Sequence, residues 1–258
     1  MIHFITPLAA KSAVRDWSLT CTLLRQTLAS LENQESPDFR ITVACHDKPD
    51  FASGLDDRFQ FVEAPFDPPH DAKTIRGENS GLRDADLKRD VALYHSGANG
   101  EDFVMPLDAD DLLHVRVVAE LADLASEVDG ALLNQGYEFC YISKRLVYRR
   151  NMVDRTSSSF ALRGRLLSIP KSLDIADLQK TLWHTVYHSK VIAWLEASGL
   201  RNESLEGPRV IYSTNTSTNL SDFYRHSIRR RLSHRAKFYI IGRGVQHRDK
   251  VDFALNAR

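Results

Sequence analysis

Apolar residues along this chain follow two rhythms. Residues 2–6 form a short, nearly continuous apolar run that Pro7 stops, the mark of a buried strand. A loop over 8–16 follows. Trp17, Cys21, Leu24, Leu28 and Leu31 then recur at spacings of four, three, four and three, which is one face of a helix. Pro37 lies in the break that ends it. A second strand is predicted over 39–45, a polar turn over 46–50, and a third strand over 59–62. The stretch 67–86 reads as a loop with Pro68, Pro69, Gly77 and Gly81. Leu87, Val91 and Tyr94 mark a further helix face, closed by Gly97 and Gly100.

A strand over 103–107 comes next, then an amphipathic helix through Val115, Val118, Leu121, Ala125 and Val128. Residues 131–133 predict another strand, and 139–148 a strand or hairpin. A long helical pattern over 175–195 runs through Leu178, Leu182, Val186 and Val191.

Strand, helix, strand, strand with short turns implies a mostly parallel α/β sheet of Rossmann type, flanked by helices. Beyond residue 130 the βαβ rhythm lapses and the second half reads as irregular α+β. Three parts are expected: residues 1–130, 131–224 and a basic extension over 225–258. Ligands on such sheets gather outside the carboxyl ends of the strands, which puts 7–11, 45–47 and 108–111 on one rim. No GxGxxG follows the first strand, which argues against a dehydrogenase.

Composition adds exclusions. The chain has 258 residues, 43% hydrophobic and 26% charged, with no net charge. That is an ordinary globular composition and gives no reason to expect a nucleic-acid partner. Cys21, Cys45 and Cys140 are far apart, with no CxxC pair, which suits a reducing, cytoplasmic setting. Neither a signal peptide nor an apolar run long enough to span a bilayer is visible.

The richest chemistry is Asp108-Ala109-Asp110-Asp111, directly after the apolar run Phe103 to Leu107. In an extended chain Asp108 and Asp110 project to one side. Adjacent carboxylates repel unless a cation sits between them, and hard oxygen ligands favour Mg²⁺ or Mn²⁺. The plain alternative is an acidic turn capping the next helix.

Residues 2–113 resemble the large inverting glycosyltransferase family of the GT-A fold, often called family two. The resemblance rests on Ser30-Leu31-Glu32-Asn33-Gln34, then Asp38-Phe39-Arg40-Ile41-Thr42-Val43, then Lys88-Arg89-Asp90 before Glu101 to Asp111. It implies a nucleoside-diphosphate-sugar donor held by Mn²⁺ or Mg²⁺. Asp110 would be the chief metal ligand, Asp108 would touch metal or ribose, and Asp111 would support them. Lys88 and Arg89 would meet the diphosphate, Asp47 the nucleobase, and Pro7 with its loop would wrap the base. The chain departs from the family in having Cys45-His46-Asp47-Lys48 where a D-D-G-S-type turn is usual, and Pro106 in the apolar strand.

Inverting transfer needs a base to take the acceptor proton. The family's "E-D" turn is missing after Asp111, leaving Glu138, Asp174 and Asp177 as candidates. His184 and His188, four apart, would share a helix face and could meet one metal; simple packing is the alternative. Tyr212 to Asn219 resembles a motif of rhamnosyltransferase-type relatives without its histidine. From Arg225 to Arg248 there are eight Lys/Arg and no acid, a stretch suited to peripheral contact with the inner face of a membrane carrying lipid-linked acceptors. The expectation is therefore a hexosyltransferase-like enzyme that moves sugar to a glycan hydroxyl in bacterial surface polysaccharide synthesis. The rivals are a sugar nucleotidyltransferase and a catalytically silent nucleotide-sugar or glycan-binding domain.

Overall fold

The computed structural model describes residues 1–69, 74–75, 78–216 and 236–255. The N-terminal half follows the apolar rhythm closely: β1 (Ile2–Pro7), α1 (Trp17–Glu32), β2 (Phe39–Cys45) and β3 (Phe59–Glu63). Asp16 caps α1 by accepting the Leu19 N–H at 2.9 Å. Two-residue strands β4 (Thr74–Ile75) and β5 (Glu78–Asn79) pair antiparallel. Helix α2 (Ser80–Ser96) and strand β6 (Phe103–Pro106) follow.

Helix α2 begins at Ser80, not near Leu87. Its first turns carry polar residues that leave no apolar stripe, and the ion pairs Asp84–Lys88 and Asp86–Arg89 support them instead. Pro106 is the last residue of β6, where a missing N–H costs the ladder least.

The chain continues through β7 (Leu112–Leu113), α3 (Val117–Ala122), β8 (Gly130–Leu132), β9 (Gly136–Cys140), β10 (Arg145–Arg149) and β11 (Phe160–Arg163). It then forms α4 (Ile175–Leu178), α5 (Val191–Ala197), β12 (Asn202–Ser204), β13 (Val210–Thr214), β14 (Arg243–Gly244) and α6 (His247–Asp252). The large sheet has the order β12-β8-β11-β6-β1-β2-β3 and the smaller one β14-β10-β9-β13-β7. In the large sheet only β11 opposes its neighbours. The expected fold class is met: a mostly parallel sheet with helices, and a less regular second half. The boundary near residue 130 falls within that sheet, because β8, β11 and β12 extend it.

Alternate residues of the central strands feed two cores, as a parallel sheet covered on both faces requires. Phe4, Val43 and Met105 pack with Leu24, Leu28 and Leu31 of α1. Ile5, Ala44 and Val104 pack with Leu87, Val91 and Leu195 on the other side.

The second half corrects two expectations. The helix expected over 115–128 is only the six-residue α3. The long helix expected over 175–195 is broken into α4, two 3-10 turns (Leu182–His184 and His188–Lys190) and α5. Polar contacts break it: Thr181, Trp183 and His184 all turn toward one buried acid, Asp90.

Candidate active site

Parallel strands β1, β2 and β6 end on one rim of the large sheet, and their outgoing loops build a polar site there. Pro7 is the last residue of β1. Beyond it, Leu8 offers its carbonyl to Lys88 Nζ at 2.8 Å. Lys88 is fully buried, and its ammonium also lies 2.8 Å from Asp84, which His46 meets from β2's outgoing turn. Burial lowers the Lys88 pKa, while Asp84 opposes the shift. Lys88 is thus no solvated helix residue; it ties the loop after β1 to α2. Asp47 accepts the Lys11 N–H at 2.8 Å, which joins the loops after β1 and β2.

The acidic motif occupies the turn after β6, closed by Asp111 N–H donating to the Asp108 carbonyl. Arg89 reaches across from α2. Its Nη2 lies 2.7 Å from Asp108 Oδ1 and its Nη1 2.6 Å from Asp86. Burial pushes the Asp108 carboxyl up, but Arg89 and the Ser157 hydroxyl outweigh it and hold Asp108 below the usual carboxylate value.

The run Thr156-Ser157-Ser158 completes the cradle. Ser157 Oγ donates to Asp108 at 3.0 Å, and Asp108 N–H donates to Ser158 Oγ at 2.8 Å. Thr156 Oγ1 lies 2.5 Å from Asp111 Oδ2, 3.2 Å from Asp108 Oδ2, and accepts the Ser158 N–H at 3.0 Å. One hydroxyl proton cannot serve two carboxylates. The set is satisfied when Asp111 carries a proton and donates it to Thr156, whose own O–H turns to Asp108. Burial and the Asp108 charge push Asp111 in that direction, up to about 7.

Asp111 is fully buried and also accepts the Ser213 N–H from β13 at 3.1 Å. It therefore links the motif to the smaller sheet and does not face a ligand. Asp110 is partly exposed in the same turn.

The two histidines part company. His184 Nε2 lies 2.6 Å from Asp90, a bond that raises its pKa and favours the imidazolium, which cannot ligate a metal. His188 Nδ1 lies 2.6 Å from the Val153 carbonyl. A carbonyl only accepts, so Nδ1 carries the proton and Nε2 keeps its lone pair. Burial lowers the His188 pKa despite the pull of Val153 and Asp108, which keeps the ring neutral. The expectation that both rings share one helix face fails, because they sit in separate 3-10 turns.

The two expected bases are engaged elsewhere. Glu138, buried on β9, meets Arg149 at 2.8 Å and Lys237 at 2.7 Å. Asp177 accepts the N–H groups of Lys171 and Ser172 and pairs with Lys180. These contacts, the Lys180 bond first, lower its pKa to about 2. Asp174 stands just before α4 as its N-cap residue. Of the stretch that resembles a rhamnosyltransferase-type motif, Tyr212 to Thr214 belongs to β13, and Ser217, Thr218 and Asn219 lie outside the described residues.

Among the described residues, no three His, Cys, Asp or Glu side chains are gathered into a metal cage. The donor set still suits a hard cation that keeps part of its shell for substrate. Mg²⁺ typically takes one or two carboxylates plus phosphate oxygens.

No family model matches this sequence, and no curated relative does. Solved structures give loose likenesses. S. aureus TarS is 13% identical with a TM-score of 0.45, over 97% of this chain and 42% of its own. The glycosyltransferase GlyE of Streptococcus pneumoniae TIGR4 is 12% identical with a TM-score of 0.37, over 82% and 53%. An active-site mutant of LgtC is 15% identical with a TM-score of 0.32, over 77% and 65%. This chain thus spans less than two thirds of each.

Proposed function

We propose that the chain is a GT-A-type glycosyltransferase that moves a hexosyl group from a nucleoside diphosphate to a hydroxyl of a glycan. The observation that carries this reading is the Asp108 carboxylate, held ionised at the strand rim by Arg89 and the Thr156-Ser157-Ser158 turn. A diphosphate leaving group needs positive charge aimed at it, and Arg89 has a planar fork suited to phosphate. Its Nε is buried without a hydrogen-bond partner among the described residues.

Asp108 and Asp110 would hold Mn²⁺ or Mg²⁺, with diphosphate oxygens filling the remaining positions. When bound, that cation acts as a Lewis acid that stabilises the departing diphosphate. The Leu8 and Asp47 loops, fixed by Lys88 and Lys11, form the wall for the nucleoside. Transfer with inversion follows the resemblance in residues 2–113. Glu138 and Asp177 are assigned no part in proton removal, since their ion pairs occupy them. A binding module without turnover is the rival reading.

Incubation with a panel of UDP-, GDP- and dTDP-sugars and Mn²⁺ tests the proposal. Release of nucleoside diphosphate from one donor, lost in Asp110→Ala, is the expected result. Binding without any release supports the module, and neither binding nor release ends both readings.

A further inference from the structure

Single exposed apolar side chains are ordinary on a protein surface. Three consecutive large ones are not, and Tyr239, Ile240 and Ile241 are 65%, 79% and 62% exposed. They sit on a turn that is firmly fixed from beneath. Phe238 is fully buried against Cys140 and Val147. Lys237 Nζ lies 2.7 Å from Glu138. Arg145 donates from Nε to the Phe238 carbonyl at 2.8 Å and from Nη2 to the Gly242 carbonyl. The turn closes with Gly242 N–H donating to the Phe238 carbonyl at 3.1 Å. Any Cβ at residue 242 would meet that carbonyl oxygen at 2.3 Å, so only glycine fits. The apolar tip is therefore built in place and held outward.

The surrounding charge is positive. Arg145 lies over the Tyr239 ring at 6.0 Å. The sequence around the tip, from Arg225 to Arg248, has eight Lys/Arg and no acid. We infer that Tyr239, Ile240 and Ile241 form a membrane-docking tip that inserts into the interface of an anionic lipid surface, with the neighbouring Lys and Arg meeting the headgroups.

A tyrosine between water and lipid suits the headgroup level, and isoleucines the acyl boundary. A second copy of the chain is the poorer occupant, because two such patches carry like charge. The tip leads directly into β14 of the smaller sheet, which also contains β13, whose Ser213 N–H donates to Asp111. The inference stands independently of whether the site transfers sugar.

Vesicle co-sedimentation tests it, with phosphatidylcholine alone and with equal parts phosphatidylcholine and phosphatidylglycerol. The full chain is expected to pellet with the anionic vesicles and to stay in solution with the neutral ones. The triple variant Tyr239→Ser, Ile240→Ser, Ile241→Ser is expected to lose partitioning about tenfold or more. Its melting temperature should change little, because all three side chains are at least 62% exposed. Failure to bind anionic vesicles, equal binding to both kinds, or undiminished binding by the triple variant overturns the inference. So does a concentration-dependent dimer that the triple variant abolishes without any lipid binding.

Discussion

Arg89 Nη2 lies 2.7 Å from Asp108 Oδ1, so a guanidinium from α2 neutralises the first carboxylate of the motif after β6. The same guanidinium is held by Asp86 at 2.6 Å. It stands where a diphosphate would be received, and the carboxylate it grips is a proposed metal ligand. A bound cation and diphosphate would share that pair between them.

Replacing Arg89 removes the charge that holds Asp108 ionised. Arg89→Gln is expected to weaken nucleoside-diphosphate binding at least tenfold and to cost about 2 kcal/mol of stability. Arg89→Lys restores charge without the planar fork, so it should recover stability more than affinity. Calorimetric titration and thermal melting read the two effects apart. Affinity unchanged in Arg89→Gln removes Arg89 from the binding site.

Thr156 is the hinge of the cradle, with contacts to Asp108, Asp111 and Ser158. Thr156→Val keeps its shape and deletes the hydroxyl. The expected cost is about 1–3 kcal/mol, from leaving buried polar atoms unsatisfied. Thr156→Ser should restore most of it. Chemical denaturation measures both, and a Val variant as stable as wild type contradicts the assignment.

Asp111 gives a pH dependence with a definite sign. Burial and the Asp108 charge raise its pKa to about 7. The native state therefore holds a proton that the unfolded chain has already released. Stability falls as pH climbs from the ordinary carboxylate value toward about 7, and levels off above it. Asp111→Asn supplies a permanent donor to Thr156 and an acceptor for Ser213. Its melting temperature should change less than that of wild type between about pH 5 and pH 7. Parallel melting curves across that range would falsify the protonated assignment.

Glu138 tests whether a buried acid is clamp or base. With Arg149 and Lys237 both on it, Glu138→Gln should lower the melting temperature by several degrees. Turnover per folded molecule should stay within about threefold of wild type. Collapse of kcat with the fold intact would restore Glu138 as the proton acceptor.

Residues 2–63 were readable because burial there follows strict periodicities: Phe4 and Ile5 face opposite cores, and Leu24, Leu28 and Leu31 keep one helix face, whereas the polar first turns of α2 hid its start at Ser80. The rim was readable too, since Pro7 ends β1 and Asp108 lies just past the end of its parallel neighbour β6. Polar partnerships set the rest, and period alone does not register them. Spacing puts His184 and His188 together, but the buried Asp90 draws His184 aside and Val153 fixes His188. Nothing in the apolar pattern marked Thr156, Ser157 or Ser158, though four successive small hydroxyl residues, Thr156 to Ser159, were the available signal. Lys88 was expected at the diphosphate, but it is buried on Asp84 and the Leu8 carbonyl, partners that come together only in the fold.

The central claim is a cation and a diphosphate held together at Asp108 and Asp110. Calorimetric titration of UDP, GDP and dTDP into the protein, with and without Mn²⁺, tests it most directly. One nucleotide should bind at least tenfold more tightly with Mn²⁺, and Asp110→Asn should erase that difference. Nucleotide affinity that ignores both the metal and the substitution, or no binding at all, contradicts the account.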